Sequence, residues 1–345
     1  MSEKKPMPVF DGHNDLLLRL WLHAATTPPE QPFFNGEAGG HIDFPRLRRG
    51  GMVGGLFAVF VPPADYVAQA RKEAVGNHQP LAIVEAQIAI LQRLESAAEG
   101  RAKICRTVAE IEHCLANNIL AMVMHIEGAE ALDPELKLLD RFWQLGLRSL
   151  GPFWNTPNQF GVGVSGGFPG SPDSGEGLTA AGRALLQRCN QLGIMIDLSH
   201  MNEKAFWQTA EISQAPLVAT HSNAHALCPQ PRNLTDRQLA AIAASDGLVG
   251  VNFGTAFLRA DGKRDGNTPI TEIVKHLAWL IDKLGEDRVG FGSDFDGINV
   301  PDELGDVAGL PLLLQALTQA GFSEAVIEKL AWRNWLRVLK QTWGR

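Results

Sequence analysis

Short apolar runs that stop abruptly at a histidine, aspartate or glutamate recur along this chain, and they restrict its fold more than any other feature. The plainest is Val289-Gly-Phe-Gly-Ser-Asp-Phe-Asp-Gly297. Pro8-Val-Phe-Asp-Gly-His-Asn-Asp15, Ile194-Met-Ile-Asp-Leu-Ser-His200 and Leu217-Val-Ala-Thr-His221 have the same form, and Leu120-Ala-Met-Val-Met-His-Ile-Glu127 ends in a glutamate. Continuous apolar runs of this length between turn signals suit strands buried on both faces, as in a parallel sheet. The reading is five buried strands, each delivering a metal-grade or proton-transfer side chain at its C-terminal end.

The rest of the chain fits that pattern. Strands are predicted near 8–15, 54–61, 119–127, 147–154, 193–200, 216–222, 247–253 and 288–294. Helical patterns are predicted over 80–98, 134–145, 179–192 (Thr179 as N-cap), 202–213, 235–245, 270–285 and 323–342. A small strand near Ile104 and a short helix near Ile111 read as a decoration, and the stretch between the first two strands as loop-rich. Strands alternating with amphipathic helices imply a parallel sheet covered by helices. An open doubly wound sheet gathers its ligand at one switch point. Here the polar ends are spread over the first, third, fifth, sixth and eighth strands, which favours an α/β fold of the closed (β/α)8 barrel type with a few insertions. No linker, repeat or low-complexity tract divides residues 1–345, so one barrel domain is expected. The Asn-, Gly-, Pro- and Ser-rich segment 155–178 is long for a connection and reads as a binding loop or lid. Within it, Gly161-Val-Gly-Val-Ser-Gly166 matches a dinucleotide fingerprint only formally, since it neither caps a strand nor opens a helix.

Charge and cysteine usage exclude some function classes. A net charge of −7 and a pI near 5.8 disfavour nucleic acid or an anionic membrane as partner. None of the four cysteines forms a Cys-x-x-Cys pair, so neither a thiolate zinc site nor a redox motif is indicated. Met-Ser-Glu-Lys-Lys-Pro-Met-Pro carries no apolar signal core, and no run is long enough to span a bilayer. A cytoplasmic protein is the expectation.

The chemistry lies at the strand ends. In His13-x-Asp15, residues two apart share one face of a strand, giving half of a metal site, since zinc takes imidazole nitrogen and carboxylate oxygen. His200 and His221 close two other strands and would converge on the same barrel mouth. Glu127, a carboxylate in an apolar setting, needs a partner, and one carboxylate can bridge two metals about 3.5–4 Å apart. His125 lies one layer deeper and reads as core. Asp294 is placed to be another ligand or the proton carrier, and Asp296 to cap its turn. Arg232, in a loop stiffened by Pro229 and Pro231, suits a substrate carboxylate gripped by two parallel hydrogen bonds.

Taken together, Asp11-Gly-His-Asn-Asp15, Glu127-Gly, Asp197-Leu-Ser-His200, Ala219-Thr-His-Ser222, Arg232-Asn and Gly292-Ser-Asp-Phe-Asp-Gly297 resemble the membrane (renal-type) dipeptidase family of zinc peptidases, among the amidohydrolase-like barrels. The resemblance covers nearly the whole chain. It implies two Zn2+ ions, one held by His13, Asp15 and Glu127 and the other by Glu127, His200 and His221. It also implies Asp294 as acid/base, Arg232 as the holder of the substrate's C-terminal carboxylate, and a water activated between the metals. Dipeptides, including L-Xaa-D-Xaa, are the implied substrates; Mn2+ or Co2+ would suit the same donors. Pro152 stands where the family commonly has a substrate-contacting histidine, a contact that Asn155 or Trp154 would then supply. With no anchor signal, the family's "membrane" is not expected to carry over. The oligomeric state stays open, a homodimer being one option. The alternatives are a lactonase, phosphoesterase or deaminase-like hydrolase on the same barrel, or a relative that binds peptide or metal without turnover.

Overall fold

A computed structural model describes residues 6–24, 27–72 and 79–344; the first five residues of the leader-free N-terminal reading lie outside them. The strands are β1 (Val9–Asn14), β2 (Met52–Phe60), β3 (Ala102–Ile104), β4 (Leu120–Glu127), β5 (Leu147–Gly151), β6 (Met195–Ile196), β7 (Val218–Ala219), β8 (Leu248–Val251) and β9 (Val289–Phe291). Every pairing between them is parallel. One sheet runs β1-β2-β4-β5-β6 with β3 paired to the start of β4; the other runs β7-β8-β9. Two seams join them into a ring: Asn14 bridges Phe295 beyond β9, and Asp197 bridges Val218. Each seam is carried by main-chain bonds, Asp294 N donating to His13 O at 3.0 Å and Leu198 N to Val218 O at 2.9 Å. The (β/α)8-type barrel read from the sequence is therefore the fold, with β3 as an extra strand.

β4 shows how the sequence fills the ring. Leu120, Met122, Met124 and Ile126 pack outward against the helices, whereas Ala121 and Val123 belong to the inner cluster. The period of two then turns His125 and Glu127 inward as well. The interior thus changes from apolar to polar within one strand. Its lower part is plugged by Trp335, fully buried, whose indole N–H donates to Phe291 O at 2.9 Å. Wall glycines make room for it: a methyl group on Gly12 would run into the ring, and one on Gly290 would lie 2.7 Å from it.

The expected helices are present as α5 (Pro80–Ala97), α6 (Val108–Ala116), α7 (Lys137–Leu145), α8 (Ala180–Leu192), α9 (Glu203–Ile212), α10 (Asp236–Ala244) and α12 (Thr271–Leu284). Thr179 caps α8, its hydroxyl accepting from Gly182 N at 3.0 Å. Three differences have physical causes. The stretch read as loop-rich folds into α1 (Leu16–His23), α2 (Glu30–Asn35) and α3 (Phe44–Gly50), short helices whose periodicity is too brief to register. Short α4 (Ala64–Arg71), α11 (Thr255–Leu258) and α13 (Leu310–Gln319) follow the β2, β8 and β9 loops for the same reason. The last helical region is α14 (Glu324–Glu328), a π turn over Lys329–Arg333, and α15 (Asn334–Trp343), which carries Trp335.

No described helix is long and apolar enough to cross a membrane. All four cysteines are buried and free. Segment 155–178 is tied down rather than loose: Asn158 and Gly161 pair, Gly161 bridges Leu178, and Val164 N donates to His200 O at 2.8 Å.

Candidate active site

His13, Asp15, Glu127, His200, His221 and Asp294 come from five separate strand ends and meet at the C-terminal mouth of the ring. His13 Nε2 lies 3.4 Å from Asp15 Oδ2, 3.7 Å from Glu127 Oε2 and 3.9 Å from Asp294 Oδ1. On the other side, Glu127 Oε1 lies 2.8 Å from His200 Nε2 and 3.4 Å from His221 Nε2. The two oxygens of Glu127 therefore face two different groups of donors. Two sets of three, His13–Glu127–His221 and His13–Asp15–Asp294, each keep their donor atoms within 4.8 Å of one another. The first cuts across the sequence-based division, because the His13 and His221 rings stack with centroids 3.8 Å apart.

Asp15 arrives differently from the strand argument. β1 ends at Asn14 after a register irregularity against β2, and Asp15 is the N-cap of α1. The bulge turns His13 into the ring, and the helix start brings Asp15 back beside it. Asp294 sits in the left-handed region, φ 59°, on the seam between β9 and β1. Gly297 keeps that corner open, since a methyl group there would clash with both Asp15 and Asp294.

The hydrogen-bond partners of the histidines fix where their lone pairs point. Thr220 Oγ1 donates to Asp197 Oδ2 at 2.6 Å, so it accepts from His221 Nδ1–H at 2.7 Å. Asn155 Oδ1 lies 2.7 Å from His200 Nδ1 and takes that proton. Both Nε2 atoms are then bare acceptors, 3.1 Å apart and aimed at a carboxylate oxygen. Three acceptors at these distances repel unless a cation lies among them. A tetrahedral ion with bonds of ~2.1 Å spaces its ligands about 3.4 Å apart, which is the range seen here. Among the described residues, His13 Nδ1 and Nε2 and Glu127 Oε1 are buried without a hydrogen-bond partner. The donor set fits divalent metal.

The electrostatics agree. Burial pushes Glu127 well above the ordinary carboxylate range and Asp294 up to about 7. Burial likewise pulls His200 and His221 well below the usual imidazole value. His13 goes the other way: burial opposes its charge, but Glu127, Asp15 and Asp294 outweigh that and bring it up to about 10. The cluster calls for positive charge at its centre, which a dication supplies more fully than a proton on one imidazole.

Supporting residues extend one layer out. Asp197 also accepts from Thr220 N and from the Ser199 hydroxyl, at 2.8 and 2.7 Å. Asp11 accepts from Ser293 N and Oγ, both at 2.7 Å, steadying the residue before Asp294. Asn252 Nδ2 donates to Asp294 Oδ2 at 2.8 Å. His125 is buried, pairs with Ser149 Oγ at 2.8 Å and lies below the cluster. Asp296, expected as a turn cap, accepts from His41 N, and its Oδ2 lies 2.9 Å from Arg19 Nε. Asn252 was missed because its type signals no orientation until its neighbours are known, and Thr220 was visible only as a letter inside Ala219-Thr-His-Ser222. Asp11 and Asp197 were visible only as letters inside motifs.

Above the cluster opens a cavity of about 440 Å3. Arg232 lines it, almost fully buried, held by His221 O at 3.0 Å and Ser222 Oγ at 3.3 Å over the Phe257 ring, with Nε unpartnered. Asn155 and Trp154 line it too. Pro152 lies just behind and uses its carbonyl to accept from Ala129 N and Asn158 Nδ2.

A parallel barrel with a histidine–carboxylate cage at its C-terminal rim is the architecture of a metal-dependent (β/α)8 enzyme. Within that class, residues 4–343 match the family described as membrane dipeptidase (peptidase family M19), and the chain belongs to it, a metallo dipeptidase family. A Klebsiella pneumoniae protein described only by its place in the pqqA 5′ region is 60% identical over 264 residues, 76% of this chain and 97% of that one. A dipeptidase of Schizosaccharomyces pombe is 30% identical over 339 residues, 97% of this chain and 81% of that one. Among solved structures, a Rhodobacter sphaeroides metallo peptidase superposes with a TM-score of 0.93 at 48% identity, covering 98% of this chain and 100% of that one. That crystal holds a phosphinate mimic of the dipeptide L-Ala-D-Ala.

Proposed function

We propose that the chain is a dinuclear zinc dipeptidase, one barrel domain acting on dipeptides that include L-Xaa-D-Xaa. The observation that supports this is the split of Glu127: its Oε2 faces His13, which also lies beside Asp15 and Asp294, and its Oε1 faces the lone pairs of His200 and His221. In this reading His13, Asp15 and Glu127 hold one ion, and Glu127, His200 and His221 the other. When bound, a pair of dications supplies Lewis acidity, bringing the pKa of water towards neutrality and polarising the scissile carbonyl. The phosphinate complex of the Rhodobacter relative supports a dipeptide as substrate here as well.

The chain's own residues do the rest. Arg232 grips the terminal carboxylate from a buried position, which restricts the cavity to very short peptides. Asp294 takes the proton of the attacking water and passes it to the leaving amine, acting first as general base and then as general acid. Asn252 keeps one of its oxygens engaged, so the other faces the reacting centre. Asn155 lies at the substrate and also fixes the tautomer of His200. The buried free cysteines suit a reducing, cytoplasmic setting.

Metal analysis combined with a screen of L,L- and L,D-dipeptides tests the reading. Two equivalents of metal and turnover of at least one dipeptide are expected, and Glu127→Gln should lose metal together with activity. Metal-replete protein that hydrolyses no dipeptide in a broad panel overturns it.

A further inference from the structure

The cavity carries a second guanidinium that the mechanism does not use. Arg264 lines it with Arg232, but the two stand at different depths: Arg232 is almost fully buried, whereas Arg264 is exposed. They belong to the same side of the mouth. Arg232 lies over Phe257 of α11, and Arg264 follows α11 in the next loop.

That loop holds its shape without Arg264. Arg259 grips both carboxylate oxygens of Asp261, at 2.8 and 2.7 Å, and reaches Thr268 Oγ1 at 3.2 Å. Asp265 accepts from Asn267 N at 3.0 Å, and Asp302 N donates to Gly266 O at 2.8 Å. Ile270 N donates to Glu303, and the Phe168 ring packs against Gly262. The acids nearest Arg264 in sequence are thus engaged elsewhere. No described residue offers Arg264 a hydrogen bond or ion pair.

A long cation presented by a pinned loop into a substrate cavity, with no ion-pair partner among the described residues, is placed to meet an anion on the ligand. The backbone carboxylate of the substrate is assigned to Arg232, which is deeper and has an unpartnered Nε. The remaining negative group a dipeptide can bring to that side is the side chain of its C-terminal residue. We propose that Arg264 forms the side-chain subsite for the C-terminal residue and selects dipeptides in which that residue is acidic. This rests on the dipeptidase reading and deepens it. Arg264 touches no reacting atom; it sets preference through the charge of the leaving residue. Because the guanidinium is exposed, the preference is modest and weakens with salt.

The test uses the metal-loaded protein and three substrates, L-Ala-D-Asp, L-Ala-D-Ala and L-Ala-D-Lys, with their L,L counterparts alongside. In wild type the kcat/KM ratio of the Asp to the Lys dipeptide should exceed one and fall from low to high salt. Arg264→Glu should lower that ratio by about tenfold or more, Arg264→Gln by less, and Arg264→Lys should keep it above one. If Arg264→Glu does not fold, Arg264→Gln carries the comparison. A ratio that Arg264→Glu or Arg264→Gln leaves unchanged, in an enzyme that hydrolyses the Ala dipeptides, overturns the subsite and leaves the dipeptidase reading intact. Failure of wild type on every dipeptide overturns both.

Discussion

The two halves of the barrel interior are built on opposite rules. At the lower half, Trp335 fills the space between wall glycines, and its single polar atom is satisfied by Phe291 O. At the upper half, the same strands deliver acids and imidazoles whose donor atoms are buried and left facing one another. The lower half lowers the free energy of the fold by close packing and by removing apolar surface from water. The upper half carries uncompensated charge that costs stability until something cationic binds. Stability and chemistry are thus separated by about one layer of side chains, with His125 on the boundary.

Substitutions can break or sharpen that contrast. The largest effect belongs to Asp294→Asn, expected to lower kcat by about 10²–10⁴-fold, while metal content and the unfolding midpoint stay near wild type. A variant that kept wild-type turnover would remove Asp294 from the proton path. Trp335→Ala is the mirror case. It should cost roughly 3–5 kcal/mol in a denaturant titration, with kcat per folded molecule much less affected. A chain that lost activity but not stability on that change would contradict the division.

Smaller effects probe the boundary. Thr220→Val removes the acceptor that holds His221 in its tautomer and should weaken metal affinity or activity by about 10–100-fold, read by competition with a chelator. His276 tests the outer support of the polar half. It is buried on α12, accepts from Ala224 N at 3.2 Å and pairs with Leu258 O at 3.0 Å. Burial lowers its pKa from 6.5 to about 4. Well above pH 6.5 it is neutral whether folded or unfolded. Below that the unfolded chain takes up a proton that the folded one refuses, so its stabilisation is lost as pH falls towards 4. Between pH 7 and 5.5 the loss is about 1 kcal/mol, and His276→Gln should flatten that limb of a stability–pH curve.

Much of this was legible beforehand where one local rule governs. The inward register of β4 follows from alternation alone, and Thr179 announces its helix. The convergence of His13, Glu127, His200 and His221 follows from strands that end alike in a parallel ring. Other features depend on contacts no local pattern encodes. β6 and β7 are two-residue ladders held by neighbours, and Asp15 reaches the site through a bulge and a helix start. Thr220 and Asn252 matter only through the atoms beside them. Arg264 sits in Asp261-Gly-Lys-Arg-Asp-Gly-Asn267, which reads as a solvated turn until the cavity wall is known.

The plug also bears on the order of events during synthesis. The first wall of the ring is laid down by Phe10 and Gly12, yet the indole that wedges it belongs to α15, and the seam opposite β1 waits for Phe295. A chain emerging from the ribosome therefore can neither close the ring before Phe295 is made nor fill it before α15 follows. Contacts so distant in sequence are slow to form, and until they do β1 keeps an unpaired edge.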